Sequence, residues 1–173
     1  MAATAISIAN DARGPSWAEL PVSTPGLLLD LGVLDGNLDE MAAIARSAEV
    51  ELFPHAKTHR MAEIGLRQVA HGADGLCVAK LGEAEAFAAA GVKRLFVANP
   101  IVGKDKAERA LALSRRDDLT LATDSEAAAA SIGAVFAAAG ATARMMLAID
   151  SGLGREGVAA DKAPDVAAAI HAV

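Results

Sequence analysis

The chain has 173 residues, a net charge of −6, 53% hydrophobic residues and 3% aromatic residues with no tyrosine. That length suits one domain with a substantial core, no apolar run approaches the ~18 residues a membrane helix needs, and the acid excess with few aromatic platforms argues against nucleic acid as a partner. A single cysteine, Cys77, excludes an internal disulfide framework and fits a reducing, cytoplasmic compartment; the N-terminus lacks the basic start and long apolar stretch of a secretory signal.

Residues 1–25, with Pro15, Pro21 and Pro25, read as an irregular lead-in. Short β-rich runs then alternate with alanine-rich helical stretches. "GLLLDL" (26–31) reads as a strand, followed by a helix with Leu34, Leu38, Met41, Ala45 and Ala48 on one face. "VELFPHAK" (50–57) is the next predicted strand, with a helix to about His71. "GLCVAK" (75–80) precedes "LGEAEAFAAA", "RLFVAN" (94–99) precedes "KDKAERALALS", and "LTLAT" (119–123) precedes "SEAAAASIGAVFAAA". "RMMLAID" (144–150) precedes a last helical stretch near 163–173. Gly72, Gly91 and Gly140 sit where C′ glycines end helices, and "TDSE" (123–126) has capping-box spacing.

Strands starting roughly 19 to 25 residues apart suit βα units with short loops. Strands that are apolar throughout predict a parallel sheet covered on both faces. The two architectures that fit are a doubly wound sheet and a (β/α)8 barrel. A G-x-G-x-x-G fingerprint directly after the first strand is missing. "GLGREG" (152–157) fits it in letters, but comes late and carries Arg155 inside. The predicted strand ends hold Lys57, Lys80, Asn99, Thr123 with Asp124, and Asp150, the polar collection expected at the C-terminal face of a barrel. We therefore expect an α/β fold of the (β/α)8 TIM-type barrel, truncated to its first five or six βα units, because a whole barrel takes about 250 residues.

Lys57 closes its strand in "PHAKTHR" and is either a solvated tip or a lysine held for covalent chemistry. Pro54 stiffens the approach, and His55, Thr58 and His59 put donors and acceptors around the amine. A lysine that attacks a carbonyl needs its neutral form, which nearby positive charge and partial burial promote, so a Schiff base with a substrate or with pyridoxal phosphate would suit it. "DSGLGREG" (150–157) is either a glycine-rich loop with an incidental arginine or a loop that fixes Arg155 over a cofactor oxygen. His55 and His59 stand at i and i+4, as metal pairs do on a helix, but they straddle a strand end without a carboxylate nearby, which argues against metal ligation. Cys77 reads as core. Lys80 and Glu83 read either as a solvent-facing ion pair at a helix start or, from their place on the strand's C-terminal face, as site residues.

"STPGLLLDLGVLDGNL", "PHAKTH", "GADGLCVAKLGEAEAFAAAGV", "LFVANPIVGKDKAERA" and "IDSGLGREGV" occur in this order. Together they resemble the N-terminal part of the D-threonine aldolase and D-serine dehydratase group, a branch of the alanine-racemase-like pyridoxal-phosphate enzymes. The resemblance implies that Lys57 carries pyridoxal 5'-phosphate as a Schiff base and that Arg155 lies near the ring's phenolic oxygen. It makes His55, Thr58, His59 and Asn99 cofactor-pocket residues. It implies a lyase of D-amino acid metabolism, acting on a small D-amino acid by retro-aldol cleavage of a β-hydroxy substrate, with dehydration or racemisation as alternatives and a homodimer as the complete form. A non-catalytic cofactor-binding or truncated protein is the reading from another class. Residues 26–173 would be a partial barrel domain. The family's "GLLLDL" strand joins a separate C-terminal β domain, which also carries divalent-metal ligands, and neither that domain nor any metal ligand is expected here. Phe53 stands where an arginine is usual, which alters the charge expected around Lys57, and Pro100 follows Asn99 where a polar residue is expected.

Overall fold

The computed structural model describes residues 23–171. The lead-in expected over residues 1–25 lies outside the described residues up to residue 22, as do the last two residues of the final predicted helix. The alanine-rich stretches form helices α1 (Leu31–Ser47), α2 (Ala62–Ala70), α3 (Leu81–Ala90), α4 (Lys104–Ser114), α5 (Glu126–Ala138) and α6 (Ala163–His171). Between them lie β1 (Leu76–Val78), β2 (Arg94–Val97), β3 (Asp118–Thr123), β4 (Met145–Leu147), β5 (Ile149–Asp150) and β6 (Val158–Ala159). No helix among the described residues is long and apolar enough to cross a membrane.

The strand order decides between the two architectures. Strands β1, β2, β3 and β4 are neighbours in chain order and all parallel. A doubly wound sheet starts in its middle and reverses direction, whereas a (β/α)8 barrel adds each strand beside the last. The helices agree, since α2 packs on α3, α3 on α4, α4 on α5 and α5 on α6. They form one outer layer, so among the described residues helices cover one face of the sheet and not two. On that face Leu76, Val78, Leu95, Val97, Leu119 and Leu121 pack with Ala84, Phe87, Ala107, Ala110, Leu113, Ile132 and Phe136 into one buried core. By strand alternation the opposite face carries Cys77, Phe96, Thr120 and Met146; of these Phe96 and Thr120 are half-buried and Met146 exposed. The described sheet is thus an arc of a TIM-type barrel wall.

Two predicted strands do not form. Residues 26–30 find no strand partner among the described residues, and Leu27, Leu28 and Leu29 are exposed. Asp30 instead caps α1, accepting from the Val33 amide at 3.0 Å. On α1, Ala42 and Ala45 are buried and Leu34 and Leu38 half-buried, while Met41 and Ala48 face outward. Residues 50–57 pair with β1 only through a parallel bridge, His55 with Cys77. The Cys77 amide donates to the Pro54 carbonyl (3.0 Å) and the Ala56 amide donates to the Cys77 carbonyl (2.8 Å). The next rung would need an N–H on residue 54, and proline has none. The ladder therefore stops at one bridge.

Smaller differences follow the same logic. "RMMLAID" splits at Ala148, whose amide donates to Thr123 (2.8 Å) while its carbonyl accepts from Val158 (2.9 Å), so β4 joins the main sheet and β5 pairs with β6. Helix α5 is capped by Ser125, not Thr123, whose side chain is fully buried at the end of β3. Gly91 does end α3 in the left-handed conformation (φ 114°), as its position in the sequence predicts. At the N-terminal ends of the strands a belt of alternating charge crosses the arc. The Arg94 guanidinium pairs with Glu51 (2.9 Å) and Asp118 (3.3 Å), and Asp118 also pairs with Arg144.

Candidate functional site

The C-terminal rim of the arc begins where the chain leaves the His55–Cys77 bridge. A single turn follows, closed by the Arg60 amide donating to the Ala56 carbonyl at 2.9 Å. Ala56 is buried beneath it, while Lys57 and Thr58 are exposed at its top. Arg60 completes the turn with a φ of 51°, a left-handed conformation that a non-glycine residue rarely adopts. The Lys57 amide lies 3.4 Å from His55 Nδ1, so His55 turns back toward the lysine it precedes. Burial and then the Lys57 charge hold the His55 imidazole below its ordinary pKa, against the opposing pull of the Cys77 carbonyl and the Glu83 carboxylate. The Cys77 thiol is pushed up by burial, with the Lys57 charge opposing, which agrees with a core cysteine.

His59 leaves this group. Its ring stands edge-on to Phe87 of α3, with centroids 6.2 Å apart, and its Nδ1 accepts from the Met61 amide at 3.1 Å. An accepting Nδ1 puts the ring hydrogen on Nε2, and Nε2 is buried without a partner, as is Gln68 Oε1 on α2. Those two atoms are chemically complementary, although they do not meet at hydrogen-bond geometry. Burial holds the His59 imidazole below its ordinary pKa, partly opposed by Gln68 and Met61.

Both shifts have the same consequence for stability. The unfolded chain takes up protons near pH 6.5, before the folded histidines do, so stability is full above that value and falls as pH drops toward the folded pKa values. We expect Tm to fall between pH 7.5 and pH 5.5, and to fall less in His59→Phe, which keeps the ring against Phe87. Identical pH slopes for the two proteins in a thermal melt series would refute this.

The second cluster is the loop after β5. Asp150 Oδ1 accepts from the Gly152 amide (2.9 Å) and the Gly154 amide (3.0 Å), bonds that hold its carboxyl below the usual range. Gly157 has a φ of 105°, and a Cβ there would lie 2.6 Å from the Asp150 nitrogen, so the loop closes only on glycine. Arg155 is exposed and its guanidinium grips the neighbouring Glu156 carboxylate at 2.9 and 2.5 Å. Glu156 is held low by Arg155 first and, more weakly, by the Lys57 charge. The charge of Lys57 thus reaches Glu156, although the two are remote in sequence.

Among the other rim residues, Asn99 is exposed just beyond β2, and Asp124 is half-buried beyond β3. The expected Lys80–Glu83 ion pair gives way to a different arrangement. Glu83 turns back onto the backbone, accepting from the Ala79 amide (2.9 Å) and the Lys80 amide (3.3 Å), and its other oxygen meets Arg60 Nε at 3.3 Å. Lys80 is the N-cap residue of α3 and its side chain has no acceptor for the first helix amides; Glu83, at N3, makes only the reciprocal half of a capping box by accepting from the N-cap amide and the one before it. Phe53 lies at the opposite end of the sheet from Lys57. Its ring packs on Gly75 and under the Arg94 guanidinium, 5.1 Å from centroid to carbon, so its replacement of an arginine acts on the charged belt and not on the lysine turn. Sequence reasoning missed Glu83 and Glu156 as partners of Arg60 and Arg155; the signals were an acid at N3 of a helix whose N-cap is a lysine, and an acid directly after the loop arginine.

Residues 29–173 match the family model described as alanine racemase, N-terminal domain. A D-threonine aldolase of Arthrobacter sp. is 38% identical over 140 residues, covering 81% of this chain and 37% of that protein. A D-threo-3-hydroxyaspartate dehydratase of Delftia sp. (strain HT23) is 36% identical over 146 residues, covering 84% of this chain and 38% of that protein. The crystal structure of D-threonine aldolase from Filomicrobium marinum superposes with a TM-score of 0.80 at 36% identity, covering 86% of this chain and 40% of that one. The chain therefore spans about two fifths of the length of the relatives it matches.

Proposed function

The chain belongs to the alanine racemase N-terminal domain family, and on that premise we propose that residues 26–173 form the cofactor-holding part of a pyridoxal-phosphate-dependent lyase acting on a β-hydroxy-D-amino acid. The observation that carries this reading is that the Lys57 turn, which follows the His55–Cys77 bridge, and the Asp150–Gly157 loop, which follows β4 and β5, both leave the C-terminal ends of parallel strands. The donor set suits the cofactor. Lys57 offers a primary amine for an aldehyde, Arg155 a guanidinium for an anionic oxygen, and His55, Thr58 and Asn99 are the polar residues proposed around them, whereas His59, expected among them, turns away onto Phe87. Bound there, pyridoxal phosphate supplies an electron sink for negative charge at the substrate α carbon.

The chain's own residues then have distinct tasks. Arg155 would give up Glu156 to hold an anionic oxygen of the cofactor, a swap eased because the arginine is exposed and an exposed ion pair is weak. In dehydration the Lys57 amine would serve as the base for the α proton. Retro-aldol cleavage leaves the α proton in place and instead requires a base at the β-hydroxyl. Among the described residues no group of three or more His, Cys, Asp or Glu could hold a metal ion, so no metal ligands are assigned to this stretch.

Aldolase is the first reading, supported by the D-threonine aldolases among the relatives; dehydratase is the second, supported by the 36% identity to the Delftia enzyme. Products separate them. With D-threonine, the protein loaded with pyridoxal phosphate and a divalent cation should release acetaldehyde and glycine. Release of 2-oxobutanoate and ammonia would select dehydration. Turnover no faster than that of Lys57→Ala would sink both.

A further inference from the structure

We propose that Glu83 is the positioning residue for Lys57, acting through Arg60 to hold closed the turn from which the lysine projects. The inference rests on Lys57 being the cofactor lysine. One carboxylate joins two elements here. Its Oε2 is fixed on the Ala79 and Lys80 amides at the start of α3, and its Oε1 holds Arg60 at the far end of the lysine turn. Glu83 is largely buried, with 15% of its side chain exposed, whereas Arg60 is 63% exposed. The anchor is therefore rigid before Arg60 reaches it, and little further ordering is needed to make the pair.

The turn needs such a restraint. Arg60 sits at φ 51°, a conformation that disfavours any residue with a Cβ, and the bond closing the turn runs from the Arg60 amide to Ala56. The φ of Arg60 sets the angle at which the chain leaves this turn for α2, so relaxation toward negative φ would pull on the closing bond and on the turn that carries Lys57. Nothing else about Glu83 requires Arg60, because its bonds to the two amides at the start of α3 use the other oxygen. The carboxylate consequently does two separable things, and only one of them bears on Lys57.

Substitutions at Arg60 separate them without touching the helix cap. Arg60→Ala removes the guanidinium and keeps the strain, while Arg60→Gly removes the guanidinium and the strain together. Two readouts are needed. One is hydrogen exchange of the residue 60 amide, which requires no cofactor. The other is the rate at which Lys57 takes up pyridoxal phosphate, trapped with borohydride and mapped by peptide. We expect Arg60→Ala to speed exchange and slow uptake by roughly fivefold, the scale of one well-anchored ion pair, and Arg60→Gly to stay near the parent in both. Glu83→Gln should resemble Arg60→Ala, and adding Arg60→Gly should restore it. Parent-like behaviour of Arg60→Ala overturns the proposal, as does an Arg60→Gly variant as impaired as Arg60→Ala. So does a slowed Glu83→Gln that Arg60→Gly fails to rescue. If the parent carries its label elsewhere than Lys57, the cofactor reading fails while the exchange data still judge the turn.

Discussion

Replacing Lys57 with alanine will abolish covalent uptake of pyridoxal phosphate and leave thermal stability nearly unchanged. Lys57 is exposed, and the bond it makes to His55 uses the backbone amide, which alanine retains. The packing at this point comes from Ala56 beneath it. A surface truncation of that kind costs at most about 0.5 kcal/mol. The chain has six lysines, and the others give the experiment its controls. Lys93 is paired with Asp117 and Lys104 with Glu108, while Lys106 and Lys162 belong to or precede the outer helices. Lys80 is the true competitor, because it too follows a strand of the main sheet at the same rim. Borohydride trapping followed by peptide mapping should place the label on Lys57 in the parent, leave it there in Lys80→Ala, and find none in Lys57→Ala. Undiminished label in Lys57→Ala, or label on Lys80 in the parent, would overturn the assignment. A second effect is independent of any cofactor. The Lys57 charge helps to keep His55 below its ordinary pKa, so removing that charge should move the His55 titration upward in an NMR pH series.

The parts of the fold that the sequence made legible are those with local causes. Leu76–Val78, Arg94–Val97 and Asp118–Thr123 are apolar runs bounded by glycine or charge, and each lies within two residues of its predicted limits. What misled was chemistry that depends on a partner. "GLLLDL" has the composition of a strand, but a strand exists only where another one takes up its amides and carbonyls, and composition does not say where that partner is. "VELFPHAK" has a partner and still forms only a bridge, because Pro54 falls on a position whose N–H should point at β1. Which alternate residues face the neighbour depends on register, a non-local property. The site divides in the same way. Lys57 was readable as a polar residue at a strand end, and Arg155 as an arginine inside a glycine-rich loop after one. The exposed rim position of Asn99 follows from its place after β2. That His59 turns down onto Phe87 was not readable, nor that Glu83 spans from α3 to Arg60, since both depend on how α3 lies against the lysine turn.

Gly75 is where a single methyl group should strain the main sheet. Its backbone is not left-handed, so the sequence offers no conformational reason for a glycine there; the reason is space. A Cβ would lie 2.5 Å from the Phe53 ring, 2.6 Å from the Arg94 carbonyl oxygen and 2.8 Å from Arg94 Cβ. The ring can rotate away, but the carbonyl belongs to the first residue of β2, and β2 is fixed between β1 and β3 by register. Relief must come from shifting the start of β1 or of β2. Either movement disturbs Arg94, which stacks on Phe53 and bridges Glu51 to Asp118 in the charged belt. Overpacking of this kind costs about 1–3 kcal/mol, and for a chain of this size each kcal/mol lowers Tm by roughly 2–4 °C. We expect Gly75→Ala to melt about 2–12 °C below the parent. Adding Phe53→Leu should recover only part of the loss, because the clash with the carbonyl remains. Full recovery would mean that the ring alone requires the glycine, and an unchanged Tm in Gly75→Ala would show that β1 and β2 can separate at no cost. Lys57 lies at the other end of the sheet, so label uptake per folded molecule should be the same in Gly75→Ala as in the parent. A change there would mean that the charged belt and the lysine turn are coupled through β1, the strand on which both Gly75 and the His55–Cys77 bridge depend.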